Sequence, residues 1–213
     1  MSFFRTGGWP MTDEAISSSD CSRAEARRNQ ILEAAEACFR EYGFHGASIS
    51  RISKSCGMSA GHIYHYFENK EAIIAAIVAN DLDRLLAMSA EMRNADNVLD
   101  ALIDRVAEGV VEQLESRGAG LKLEIAAEAA RNPTVAEIVR GADRRCTASL
   151  AETFRLARLA AGKSATPEEI ARMVEVIAAM FDGLLLRRVR QADIDTRELI
   201  VGFQSVIRCL ITS

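Results

Sequence analysis

Residues 48–67, SISRISKSCGMSAGHIYHYF, restrict the fold more tightly than any other stretch of this chain. A helix-turn-helix needs a small residue at the turn, apolar side chains that lock two short helices together, and a second helix with a free polar face. Gly57 supplies the turn, and Ile52, Cys56, Met58, Ile63 and Tyr66 fall at the locking positions. Ser59 is placed to cap the second helix. Ala60, Gly61, His62, Tyr64 and His65 are then left near or on the exposed side, where small residues at a helix start let a nucleic-acid backbone come close.

Charge supports this reading over a plain helical hairpin with His62 and His65 merely on its surface. Between Ser22 and Lys70 seven Lys/Arg face five Asp/Glu, a local excess of +2, whereas the whole chain carries −4. A nucleic-acid surface, if present, is therefore confined to this segment. All three histidines, His45, His62 and His65, lie in it as well.

The remaining pattern is helical throughout. Thirteen Gly and three Pro in 213 residues are too few for a sandwich or barrel of many short strands. Residues 1–21, with Gly7, Gly8, Pro10 and Ser17–Ser19, show no periodicity and read as a mobile arm, with Met11 an alternative start. From Ser22 the apolar set Ile31, Ala35, Cys38, Phe39 and Tyr42 recurs at helical spacing until Gly43, an αL cap. Short helices are expected at 49–56 and 60–66. A long one follows the N-cap Asn69 towards Met92, and others occupy about 97–116, 120–131, 134–161, 167–190 and 195–211. Thr166-Pro167-Glu168-Glu169 is a strong start signal. The expected fold is all-α: an arm (1–21), a helix-turn-helix domain (22–69) and a helical bundle (70–213).

From about Arg28 to Ile73 the sequence strongly resembles the DNA-binding region of TetR/AcrR-type transcriptional regulators. The matching elements are the Ile31-Leu32 to Gly43 helix, Ser48-Ile49…Ile52, Gly57-Met58-Ser59, Ile63-Tyr64 and Phe67…Asn69-Lys70-Glu71. Ala47 and Ser53 stand where Thr and Ala are commoner, and Tyr66 where His is frequent. The resemblance implies a homodimer, a recognition helix at about 60–66 in the major groove, and a C-terminal effector-binding bundle. It implies phosphate contacts for Ser48, Tyr64 and Lys70. His62 and Tyr64 are candidates for base-edge or thymine-methyl contact, with Ser59, Ala60, Gly61 and His65 beside the backbone. Arg51 is placed for either backbone or base, and Arg28 for a phosphate or a solvated helix end.

In the C-terminal two-thirds, Asp182 is the single polar side chain between Val176 and Leu186, and a helix apolar on all sides must be covered on all sides. With the last helix it forms a candidate dimer seam, represented by Phe181, Leu185, Phe203 and Val206; the alternative is the centre of a monomeric core. Glu124 and Glu128 share a helix face. With Met88, Met92, Phe154 and Phe181 they are candidates for an effector chamber, or else they form a solvated face paired with Lys122 or Arg131.

Other classes find little support. No histidine follows His65, so a di-metal bundle lacks its Glu-x-x-His ligands. No P-loop or dinucleotide fingerprint occurs, and no metal or cofactor is expected. Five scattered cysteines without a CxxC pair read as small buried hydrophobes or, alternatively, as a redox sensor. The start shows no signal-peptide pattern and the longest apolar run is far too short for a membrane span, so a cytoplasmic protein is expected. The expected function is ligand-responsive repression at a near-palindromic operator, released by a small molecule. The alternative is a DNA-bound scaffold of the same fold without a ligand.

Overall fold

A computed structural model describes residues 13–115, 118–191 and 193–213. Those residues form nine helices and no strand: α1 (Asp13–Gly46), α2 (Ile49–Cys56), α3 (Ala60–Tyr66), α4 (Lys70–Arg93), α5 (Val98–Glu115), α6 (Gly118–Ala129), α7 (Pro133–Ala160), α8 (Pro167–Arg190) and α9 (Thr196–Thr212). The all-α expectation holds. Helix α1 already runs from Asp13, inside the stretch read as an arm; residues 1–12, with Trp9 and Met11, lie outside the described residues.

The boundaries follow from capping chemistry. Asn69 accepts from the Ala72 amide at 2.8 Å, and Asn132 caps α7 ahead of Pro133. Thr166 and Glu169 exchange hydrogen bonds in a complete capping box that opens α8. Gly43 does have a positive φ (67°), but its ψ of 171° is not that of an αL cap. The chain kinks there and turns on through Phe44, His45 and Gly46 before Ser48 starts α2.

Two apolar cores result. The first joins Ile31, Leu32, Phe39, Ile52, Ile63 and Phe67 to Ile73, Ile74 and Ile77 of α4, and takes in Leu121 of α6 and Val135 of α7. The second is built from α4, α5 and α7–α9, around Val106, Val110, Phe154, Leu184, Phe203 and Ile207. The first core therefore does not close at residue 69; the larger body completes it.

Candidate nucleic-acid interface

The turn between α2 and α3 is fixed by backbone geometry. Gly57 sits at φ 68°, ψ 24°, in the left-handed region, with open space around the position a Cβ would take. Conformation, not crowding, demands glycine here. The Met58 amide donates to the Ser53 carbonyl at 3.1 Å, and the Ser53 hydroxyl donates back to the Met58 carbonyl. The Gln30 side chain of α1 donates to the Cys56 carbonyl at 2.9 Å, tying the end of α2 to the long first helix. Ile52 and Ile63 are wholly buried between the elements and Cys56 nearly so.

Packing and capping leave an outward face. Ser48 caps α2 and Ser59 caps α3, accepting from the Arg51 and His62 amides at 3.2 and 3.1 Å. Each hydroxyl keeps its own proton for donation outward. Gly61, His62, Tyr64 and His65 are exposed, Tyr64 to 55%, and Ala60 partly so. The His62, His65 and Tyr66 rings lie 5.3–6.5 Å apart, centroid to centroid. From Tyr42 to Phe67 the sequence contains no carboxylate, while Arg51, Lys54, His62 and His65 all fall within it. The α2–α3 face thus attracts anions without internal neutralisation.

The flanking cations are held in place. The Arg28 guanidinium lies 5.4 Å from the Phe67 ring centroid and that of Arg51 4.2 Å from Tyr42. Lys70 is more committed than the sequence suggested: its ammonium donates to the Phe44 carbonyl at 2.6 Å and sits 4.2 Å over the Phe44 ring. Ala47 is fully buried in the first core, so a side chain there points away from any backbone contact.

Behind this face lies a polar junction of which the sequence reading offered only the Glu128–Arg131 pair. Glu128 of α6 is 1% exposed. One of its oxygens accepts from Arg131 Nε at 2.9 Å and lies 3.3 Å from His45 Nε2; the other accepts from Asn132 Nδ2 at 3.2 Å. Asn132 also reaches Glu71 of α4 at 3.4 Å. Glu124 closes on the kink from the same helix, its carboxylate 3.2 Å from where a Cβ on Gly43 would sit. These acids therefore clamp the turn that leads into α2. The Gly-Phe-His-Gly run at 43–46 was the available sequence signal for such a turn.

Of the other expected effector residues, Met92 and Phe154 share the second core, Phe181 packs against it, and Met88 meets Met92 at its edge. Met88 and Met92 share an open cleft of about 230 Å³ with Glu91, Ala101, Asp104, Arg105 and Glu108. Phe154 is buried in the second core, and Phe181 packs on Phe203 at 5.3 Å and over Gly109. Three of the four expected seam residues face inward: Leu185 (7% exposed) is buried within the protomer, Phe203 (9%) belongs to the second core, and Phe181 packs against that core. Val206 faces outward, together with Val176, Leu186 and Val201. Among the cysteines, Cys38 and Cys56 are buried and Cys209 is exposed. Burial pushes the Cys38 and Cys146 thiols up, away from the reactive thiolate. Among the described residues no helix is long and apolar enough to cross a membrane.

Comparison with known proteins agrees with this geometry. The family described as bacterial regulatory proteins, tetR family, matches residues 31–77, and the C-terminal family of BetI-type transcriptional repressors matches residues 98–202. The chain is 37% identical over 134 residues to the HTH-type transcriptional regulator UidR of Escherichia coli K12, covering 63% of this chain and 67% of that one. Salmonella enterica GusR superposes with a TM-score of 0.72 at 32% identity, over 88% of this chain and 94% of its own. The regulator FadR of Bacillus subtilis, solved with stearoyl-CoA, shares the fold at 18% identity and a TM-score of 0.70, over 86% and 97% of the two chains. With α2 and α3 displaying an acid-free face and both parts of the chain matched in order, this protein belongs to the TetR family of DNA-binding transcriptional regulators and is not an enzyme.

Proposed function

We propose that the chain is a cytoplasmic repressor that binds a near-palindromic operator as a homodimer and leaves it when a small molecule occupies the C-terminal body. The observation that carries this reading is the carboxylate-free face of α2 and α3, with His62, Tyr64 and His65 standing clear of the core. His62 and Tyr64 take base-edge or thymine-methyl contacts, and Ser48, Ser59, Ala60, Gly61, His65, Arg28 and Arg51 surround them as backbone contacts. Lys70 sets the turn before α2 through Phe44 and adds a phosphate contact with its remaining protons. Residues 22–69 carry DNA binding and 70–213 carry effector binding and dimerisation.

A second copy is the occupant argued for the outward apolar strip of Val176, Leu186, Val201 and Val206. Two recognition helices must stand about 34–36 Å apart to enter successive major grooves, which one protomer cannot supply. The switch runs through the clamp: a ligand that displaces α6 or α4 moves Glu128 and Lys70, and with them the turn at 43–46. That the same fold in FadR was solved with stearoyl-CoA supports a ligand-admitting C-terminal body. The close packing of Phe154 and Phe181 supports the second reading, a scaffold without an effector.

The test begins by enriching a duplex from a randomised pool with the wild-type protein; a two-fold symmetric sequence is expected. His62→Ala or Tyr64→Ala should weaken binding to it by about 1–3 kcal/mol, with thermal stability unchanged. Lys70→Ala should also flatten the salt dependence. An enriched duplex that both single variants bind as tightly as wild type would overturn the assignment of α3 as the reading helix. An effector must weaken operator binding reciprocally, by roughly 5–150-fold; a ligand bound equally well by free and operator-bound protein favours the scaffold.

A further inference from the structure

Arg51 is one of two charged residues on α2, the other being Lys54. It is exposed, three positions past the N-cap Ser48, and among the described residues no carboxylate forms a salt bridge with it; the nearby Glu41 carboxylate engages the Tyr42 side chain instead. Its guanidinium instead lies 4.2 Å from the ring centroid of Tyr42, at the end of α1. Gly46 lies one turn on, where a Cβ would come within 3.1 Å of the Tyr42 Cβ.

The difference between an aromatic ring and a carboxylate is decisive for what such an arginine can do. A carboxylate neutralises the cation and competes with an incoming phosphate. A ring face attracts the cation through its quadrupole and leaves its charge and its N–H donors unspent. Stacking also fixes the long side chain beforehand, so less conformational freedom is lost when a phosphate arrives. We propose that Tyr42 is a positioning residue that holds the Arg51 guanidinium ready for a backbone phosphate of the bound duplex. This rests on the operator-binding reading and adds to it a residue on α1, outside the two helices of the motif.

The probe is the duplex enriched by wild-type protein, titrated at several salt concentrations. Arg51→Ala is expected to weaken binding and lower the salt slope by about one ion per protomer. Tyr42→Leu is expected to weaken binding about two- to fivefold per protomer and lower the slope in the same direction, while Tyr42→Phe, which keeps the ring, binds like wild type. In an Arg51→Ala background Tyr42→Leu should have no further effect. The proposal is overturned if Tyr42→Leu costs as much without Arg51 as with it, or leaves the salt slope untouched, since the ring would then be a packing element between α1 and α2. Full affinity in Arg51→Ala also overturns it, leaving the operator reading intact. Failure of wild-type protein to enrich any duplex defeats both.

Discussion

Helices α2 and α3 and helices α8 and α9 are both pairs with one covered and one bare side, yet they use the bare side differently. In the first pair the covered side is minimal, and what is left over is polar, cationic and aromatic. In the second the covered side carries Ile177, Leu184, Leu185, Phe203 and Ile207, and the exposed side, among charged residues such as Arg172, Asp182 and Arg208, still shows the apolar Val176, Leu186, Val201 and Val206. A bare polar face addresses a hydrated, charged partner, whereas a bare apolar strip addresses another protein surface. The lesson is that apolar richness in a helix does not say which of its sides meets the partner.

The sharpest way to break this comparison is a matched pair of charge insertions. Leu185→Arg places an unpaired cation at a buried position and should cost on the order of 3–5 kcal/mol, read as lost helicity and a collapsed melting transition. Val201→Arg, at a side chain 59% exposed, should leave the fold intact and shift the sedimenting species towards monomer. If Leu185→Arg folds normally while Val201→Arg unfolds, the sides have been assigned the wrong way round.

A smaller effect probes the clamp between α1 and α6. Removing the buried partner of the clamp by Glu128→Ala should destabilise the protein by about 1–3 kcal/mol, because it strips Asn132, Arg131 and His45 of a shared acceptor. Removing the exposed partner by His45→Ala should cost less, since Glu128 keeps Arg131 and Asn132. Chemical denaturation of both variants checks the order, and equal losses would mean that the His45 contact carries the clamp and that Arg131 and Asn132 add nothing.

How much of this was legible in the sequence varies with the range of the interaction. The α2–α3 unit was readable because Gly57, Ser48, Ser59, Ile52 and Ile63 act within a few residues of one another, through φ preference, capping and local apolar contact. Asn69 and Thr166 announced helix starts for the same reason. The burial of Leu185 and Phe203 within the protomer was not legible, because a period of 3.6 shows that a stripe is apolar without showing whether the chain's own helices or a second protomer cover it. Glu128 was paired in sequence with Arg131, which it does bind, but the His45 contact joins α1 to α6 across 83 residues of sequence and has no periodic signature. Lys70 turned inward to the Phe44 carbonyl because the kink at Gly43 brings that carbonyl within reach.

The smallest expected effect concerns Asp182, the polar residue of the α8 strip. Burial, and then the nearby Asp143, raise its carboxyl above the usual range, against the pull of Lys122. A raised carboxyl means that the folded state disfavours the ionised form, so a penalty exists at neutral pH and vanishes once pH falls below both the folded and unfolded values. Asp182→Asn should therefore raise the melting temperature slightly at pH 7 and leave it unchanged at pH 3. A gain of the same size at both values would point to a cause other than charge.

The presence of Leu121 and Val135 in the first core bears on how such regulators can be recombined. A chimaera that transplants residues 22–69 onto a relative's body carries away one wall of an apolar box and inherits another cut for different side chains. Such a graft should be leaky or insoluble even when its operator-facing residues are flawless. Donor exchange among these proteins is expected to succeed only when the patches of α4, α6 and α7 beneath the head, including Ile73, Ile77, Leu121 and Val135, travel with it.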